Sequence, residues 1–263
     1  MRALCRNCAV FLMLCFVTCN AKATSFTTDQ SDLWYIPSES GWGMQLVQRD
    51  SVIFATLFVY GQNNQPTWYV STMNYTSNLT WTGPLYATTG PWFGTVPFNP
   101  QNVNAVQVGT MTWSAPFVES GTVAYSVNGV NVSKNVVRQV LVNDDFNGTF
   151  PGAVHMTYTN CSNSANNGTF EIYAAISVIQ SGSSVTLGYA NQAGGTCSFV
   201  GTFSQAGQFG KMVGNYSCSS GDNGTFNMFE MNAGFNSVTG RLTMASSNIG
   251  CKGDGYYGGI RHR

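Results

Sequence analysis

The chain has few charged residues, and this scarcity limits what it can bind. Only 8% of its 263 residues are Asp, Glu, Lys or Arg, against about a quarter in ordinary soluble domains. Eleven basic residues are balanced by eleven acidic ones, so there is no basic surplus to neutralise phosphates. We therefore expect no nucleic-acid partner.

Histidine is nearly absent as well, which removes the side chain most often used in catalysis and metal binding. The two histidines are His155, in an alternating segment typical of a strand, and His262, next to the last residue. A Ser-His-Asp triad would depend on His155, and no Gly-x-Ser-x-Gly motif accompanies it. A histidine-based metal centre needs more ligands than this. We predict no catalytic residue, no metal site and no cofactor.

Long apolar runs are missing too, and the one near the N-terminus is short. Arg2 and Arg6 precede the apolar stretch 9–17, and Ala21-Lys22-Ala23 resembles a cleavage site. This pattern predicts a secretory signal peptide over residues 1–23. The run is shorter than the about 20 residues of a transmembrane helix, so no such helix is expected. A lipoprotein acylated at Cys19 is the alternative.

Removal of residues 1–23 changes both the charge and the cysteine content. The loss of Arg2, Arg6 and Lys22 leaves eight basic residues against eleven acidic ones, a net charge of −3. Four of the eight cysteines leave with the same segment. The expected location is secreted or periplasmic, with outer-membrane association as a further alternative.

A break in composition divides the remaining chain into two domains. All six tryptophans precede residue 114, whereas the four remaining cysteines follow residue 160. A single shared core would not be expected to separate them in this way. Asn143-Asp144-Asp145 reads as a polar link, so we predict domains over residues 24–143 and 144–263.

The first of these domains reads as strands almost throughout. No segment shows a sustained 3.6-residue apolar period, and residues 51–60 and 66–73 form a predicted hairpin around the turn 61–64. Asn128-Gly129 is the strongest two-residue hairpin signal. The other predicted strands are Gly43–Gln48, Leu79–Thr88, Val103–Phe117, Thr122–Asn128 and Val130–Val142. The fold class is therefore predicted to be all-β, with two antiparallel domains.

A short sequence motif is repeated in the second domain. Asn-Gly-Thr-Phe begins at residues 147, 167 and 223; Asn-Gly supplies a tight turn, and Thr-Phe begins the next strand. About eight strands are expected, which favours an up-and-down barrel without free edges. A sandwich is the alternative. In strand count and turn spacing this half resembles small lipocalin-like barrels.

The four remaining cysteines are predicted to form two disulfides. If the turn 205–208 centres between Gly207 and Gln208, Cys197 and Cys218 lie opposite each other on paired strands, close enough to be bridged. Cys161 would then pair with Cys251 and join the first and last strands of this half. A metal site is the alternative, but Cys-x-x-Cys spacing is absent and the expected compartment is oxidising.

The tryptophan-rich half resembles a known group of sequences. Residues 32–43, DLWYIPSESGWG, followed by FATLFVY at 54–60 and PTWY at 66–69, are similar to exported proteobacterial proteins of undefined function that carry a Trp-rich Glu-Ser-Gly-Trp-Gly domain. The resemblance covers residues 32–141 and departs from the pattern at Tyr35 and Leu57. The resemblance implies that the protein is exported and that these residues form one domain. It implies no activity.

The aromatic residues favour binding over catalysis. Adjacent aromatic pairs must place one member away from the local core face, and exposed rings stack on sugars or contact apolar molecules. We predict a non-catalytic binding or envelope-associated module for a glycan, a small apolar ligand or an envelope protein. Its candidate ligand-binding residues are Trp34, Glu39, Trp42, Trp68 and Trp92. A cell-envelope hydrolase using Glu39 or Glu230 is the alternative.

Overall fold

The protein consists of two closed antiparallel β-barrels, seen in a computed structural model that describes residues 27–261. The predicted signal peptide and His262 lie outside the described residues. The first barrel contains β1 Asp32–Tyr35, β2 Gly43–Arg49, β3 Val52–Tyr60, β4 Pro66–Ser77, β5 Thr80–Thr89, β6 Asn104–Ser114, β7 Ser120–Val127 and β8 Val130–Arg138. The second contains β9 Gly148–Thr159, β10 Gly168–Ser181, β11 Ser184–Asn191, β12 Thr196–Ala206, β13 Phe209–Cys218, β14 Asn223–Gly234, β15 Ser237–Ser246 and β16 Lys252–Ile260. The all-β prediction is confirmed.

Both barrels are simple meanders in which each strand pairs with the next. The first closes by pairing β1 with β8, and the second by pairing β9 with β16. The sandwich alternative for the second half is therefore wrong. Short 3-10 turns at Pro37–Glu39, Pro100–Asn102 and Ser164–Asn166 are the helical segments in the described part of the chain. The predicted domain boundary, between residues 143 and 144, lies in the connection between β8 and β9.

Several predicted strand limits differ from those observed. The predicted strands 103–117 and 130–142 end at Ser114 and Arg138, and β1 was not predicted as a strand. Pro116 follows the first of these ends, and proline cannot donate to a strand ladder. Arg138 is the last residue of β8, and its side chain contacts both barrels, as described below.

The interior of the first barrel is packed with large buried side chains. Alternate strand residues point inward, and the indoles of Trp34, Trp81 and Trp113 are among the most deeply buried side chains. Trp34 and Trp113 meet edge to face with ring centroids 4.6 Å apart. At the end where β3 joins β4, Trp42, Tyr69 and other half-buried side chains pack against this core.

The second barrel has a separate core. It is built from aliphatic, Met, Phe and Tyr side chains of β9–β16. Phe146, fully buried in the connection that precedes β9, packs edge to face on Phe203 with centroids 5.4 Å apart and closes one end. We call this the junction end, because it faces the first barrel, and we call the opposite end of each barrel its outer end.

A buried arginine holds the two barrels together at the junction. The guanidinium of Arg138 donates to Asp32 Oδ2 at 3.1 Å and lies over the rings of Trp34 and Phe209, from the two different barrels. The same Asp32 oxygen accepts the backbone N–H of Gln208 at 3.0 Å. Residue 207 has φ +56°, and a Cβ there would lie 2.0 Å from Asp32 Oδ2, so this close approach requires glycine.

Candidate functional site

A cavity of about 260 Å³ occupies the outer half of the second barrel. It lies among inward-facing side chains of all eight strands and opens between the β11–β12 and β13–β14 turns. Its wall is mostly apolar. The side chains that form it include Val154, Met156, Ile172, Ile176, Leu187, Phe199, Met228, Leu242 and Met244.

Small residues at the outer end account for the opening. Gly195, Thr196, Ser219 and Ser220, together with the Cys197–Cys218 disulfide, surround the mouth of the cavity. None of these side chains can reach across the barrel. The same end of the first barrel carries larger side chains, including Trp42 and Tyr69, against its core. The difference between a filled and a hollow barrel therefore follows from side-chain volume.

Polar groups lie at two depths in the cavity. Near the mouth, the hydroxyl of Tyr216 donates to Asp222 Oδ2 at 3.1 Å, and Ser246 donates to Asp222 Oδ1 at 2.6 Å. Burial, reinforced by the Asp222 charge, raises the pKa of Tyr216, so this phenol stays protonated and can donate. Asp222 is therefore fixed in orientation by two donors.

Deeper in the barrel, Tyr257 presents a hydroxyl without a hydrogen-bond partner among residues 27–261. A Cβ at residue 240, on the paired strand, would lie 2.6 Å from this oxygen, so Gly240 makes room for the phenol. Burial raises the pKa of Tyr257, which keeps it a neutral donor. Leaving a buried donor unpaired costs about 1–3 kcal/mol, so this hydroxyl is a position where a ligand oxygen or nitrogen would be stabilised.

The disulfides have the pairing that the hairpin register predicted. Cys197 and Cys218 face each other across β12 and β13, with Cα atoms 4.0 Å apart, around a turn centred between Gly207 and Gln208. Cys161 is bonded to Cys251, just beyond the ends of β9 and β16. Both bonds lie at the outer end, so they fix the strands that frame the cavity mouth.

The structure separates the four tryptophans that were expected to bind a ligand together. Trp34 is 1% exposed and donates its indole N–H to the Gln30 carbonyl at 3.0 Å. Its assignment to an exposed stacking surface is wrong, because barrel closure turns that face of β1 inward. Trp42 is half-buried, whereas Trp68 and Trp92 are 49% and 69% exposed. These three lie at the outer end of the first barrel, remote from the cavity.

Glu39 is held as a carboxylate by two neighbours. Its Oε2 accepts from Lys134 Nζ at 2.6 Å and from the Trp42 indole at 2.9 Å. The hydrogen bond from Lys134, followed by that from Trp42, lowers the pKa of Glu39. A glycosidase acid needs a raised pKa, so this environment does not suit general-acid chemistry.

Glu230, the other acid considered for hydrolysis, lies at the junction. Thr28 donates its hydroxyl to Glu230 Oε1, and the guanidinium of Arg241 is 3.8 Å from that oxygen. Glu230 therefore lies between the barrels and does not line the cavity. His155 also lies outside the cavity, where its Nδ1 is 2.5 Å from Glu171 Oε1 and its ring stacks on Tyr256.

Among residues 27–261, no group of three or more His, Cys, Asp and Glu side chains is placed to hold a metal ion. Within the same residues there is no helix of the length and apolarity needed to cross a membrane.

Comparison with known proteins gives little further guidance. No family model matches the chain, and no curated protein matches it. Among solved structures, it is similar to the crystal structure of a "putative outer membrane protein" of Bacteroides fragilis, at 12% identity and a TM-score of 0.35, with 89% of this chain and 96% of the other covered.

Proposed function

We propose that the protein is an exported binding module that holds a small apolar molecule inside its second barrel. The single observation that supports this proposal most strongly is the apolar cavity, which opens at the outer end of a barrel that two disulfides hold in shape. Concave apolar pockets with a few placed polar groups are the usual form of small-molecule sites. Export is supported by the N-terminal sequence pattern and by the disulfides.

The cavity limits the size and chemistry of the ligand. An engineered protein cavity of about 150 Å³ binds benzene, so a space of about 260 Å³ fits a compound of two or three aromatic rings or a medium-length acyl chain. Tyr257 near the floor favours one hydrogen-bond acceptor at the buried end of the ligand. Asp222 at the mouth disfavours an anionic group there. The preferred ligand is thus a neutral apolar molecule with one acceptor.

Binding of the neutral fluorescent probe N-phenyl-1-naphthylamine tests this site. Ile176, which is 2% exposed, lies in the cavity wall, and Ile179 on the same strand points outward and is 70% exposed. Ile176→Trp places an indole inside the cavity, whereas Ile179→Trp makes the same chemical change outside it. We expect Ile176→Trp to weaken probe binding by at least about tenfold, because one displaced ring removes more than about 1.4 kcal/mol.

The Ile179→Trp variant serves as the matched control and should bind as the unaltered protein does. Circular dichroism would establish that both variants remain folded. Equal binding by the two variants would mean that the probe sits elsewhere, and the cavity would lose its proposed role.

The alternative of a cell-envelope hydrolase has less support. Glu39 is paired with a lysine, and Glu230 is used at the junction. Neither carboxylate lines the cavity of the second barrel.

A further inference from the structure

Much of the outer end of the first barrel is formed by an uncharged part of the chain, beside the Glu39–Lys134 ion pair at the same end. Residues 51–118 contain no Asp, Glu, Lys, Arg or His. They form β3, β4, β5 and β6 with their connections. Surface strands and loops of soluble proteins ordinarily carry both signs of charge. The absence of charge extends over four strands and their connections, so it is a property of the whole segment.

Large apolar side chains are exposed within this uncharged part. The β5–β6 loop, residues 90–103, presents Phe93 and Val96 at 91% exposure each, beside Trp92 and Phe98. Phe58 and Trp68 are exposed on β3 and β4 and face each other across the ladder at the same end. Together these six residues define the apolar tip of the first barrel. The cost of keeping such side chains in water indicates that the tip is covered by a partner.

Local contacts hold the loop in one shape. The Thr95 N–H donates to the Trp92 carbonyl at 2.9 Å, and the Trp92 and Phe93 ring centroids are 5.4 Å apart. A Cβ at Gly94 would lie 2.5 Å from the Trp92 ring, so the indole folds over the bare glycine. The Asn99 side chain accepts the Gln101 N–H at 3.0 Å. The apolar side chains are therefore presented by an ordered loop.

We propose that the apolar tip inserts into the surface of an electrically neutral lipid layer. Trp and Tyr are enriched at membrane–water interfaces, and a segment that enters the headgroup region avoids charges that it would have to desolvate. Binding to anionic lipid relies on clustered Lys and Arg, which residues 51–118 lack. A sugar-stacking platform would account for Trp68 and Trp92 but not for the fully projecting Val96, which offers no flat ring. This inference is independent of the cavity.

Sedimentation with phosphatidylcholine vesicles tests the proposal on the full exported protein. We expect binding that persists up to about 1 M salt, where surface charges are screened. Phosphatidylcholine brominated in its acyl chains should quench tryptophan fluorescence, because Trp92 enters the layer. Trp92→Ser combined with Phe93→Ser should reduce vesicle partitioning by at least about tenfold.

The matched control removes two large exposed side chains from the second barrel, Tyr173→Ser with Ile179→Ser. This variant should partition within about twofold of the unaltered protein. Absence of vesicle binding, equal loss in both double variants, or binding that needs anionic lipid and disappears in salt would each overturn the proposal. Retention on a soluble glycan that depends on Trp92 without vesicle binding would assign the tip to sugars instead. Probe binding in the cavity should be unchanged in the Trp92/Phe93 variant, so the two proposals can fail separately.

Discussion

The two barrels have the same strand number and topology but opposite interiors. The first is packed to its axis by three buried indoles, whereas the second, without tryptophan, keeps a cavity at its outer end. Protein interiors are ordinarily as dense as organic crystals. An eight-stranded barrel is therefore a solid unit or a container according to the volume of its inward side chains, with no change of topology.

The barrels also differ in what stabilises them. The described part of the first barrel has no cysteine, and its filled core suffices. The second barrel has empty space where further side chains could have packed, and it carries both disulfides. A hollow barrel with a covalently fixed mouth keeps its cavity open without collapse.

Removal of the Cys161–Cys251 disulfide should destabilise the second barrel selectively. The bond closes a loop of 90 residues, so the chain-entropy model predicts that Cys161→Ala with Cys251→Ala costs about 4–5 kcal/mol. Hydrogen exchange followed by mass spectrometry would measure each barrel separately. Protection should fall in peptides of β9–β16 and persist in those of β1–β8. An equal fall in both sets would show that the barrels form one cooperative unit.

Matched leucine truncations should cost more in the filled barrel. Leu57 is fully buried in the first barrel, and Leu187 lines the cavity of the second. We expect Leu57→Ala to cost about 4 kcal/mol and Leu187→Ala about 2 kcal/mol, because Leu187 lacks neighbours on its cavity side. Exchange protection of the two barrels again provides the measurement. A larger loss for Leu187→Ala would indicate that the second core is as tightly packed as the first.

Replacing a buried valine by leucine should have opposite effects on stability in the two barrels. Val123→Leu adds a methylene to the filled core and should cost about 1–3 kcal/mol. Val154→Leu adds the same group beside the cavity and should stabilise by up to about 0.8 kcal/mol. Both residues are buried and inward-facing. Urea unfolding of the two variants would decide the sign of each change, and a clear loss for Val154→Leu would show that the cavity wall does not yield to added volume.

Tyr257→Phe tests the unpaired hydroxyl of the hollow barrel. Removing a buried donor that has no partner in the described chain should be neutral or stabilise by about 1 kcal/mol. The same variant should weaken binding of 2-naphthol, which can accept a hydrogen bond, and leave naphthalene binding unchanged. If thermal unfolding shows a loss above 1 kcal/mol, the hydroxyl has a stabilising partner, and the cavity floor is not as described.

Local signals in the sequence were sufficient to predict much of the fold. The β12–β13 turn fixes strand register over a short distance, so the pairing of Cys197 with Cys218 could be inferred from turn residues alone. The Asn128-Gly129 hairpin was predictable for the same reason. Strand β1 was missed because a four-residue strand leaves only a short pattern, and its pairing with β8 is distant in sequence.

The candidate site could not be predicted in this way. Whether the side chain of Trp34 points into the barrel depends on barrel closure. Closure pairs β1 with β8, which are about a hundred residues apart in sequence. The cavity is a difference between the volume enclosed by eight strands and the volume of every side chain that points inward. No single segment, including the one with Tyr257, carries that information. The direction of the Glu230 side chain could not be predicted from strand alternation, because the register beside it is irregular and Glu230 itself has φ +52°.

Crystals of the exported protein soaked in 1-bromonaphthalene would test the central contrast most directly, because bromine can be located by anomalous scattering. We expect a bromine site inside the second barrel, among Ile176, Met228 and Tyr257, and none inside the first. A second barrel without bromine, or bromine found inside the first barrel instead, would contradict this expectation.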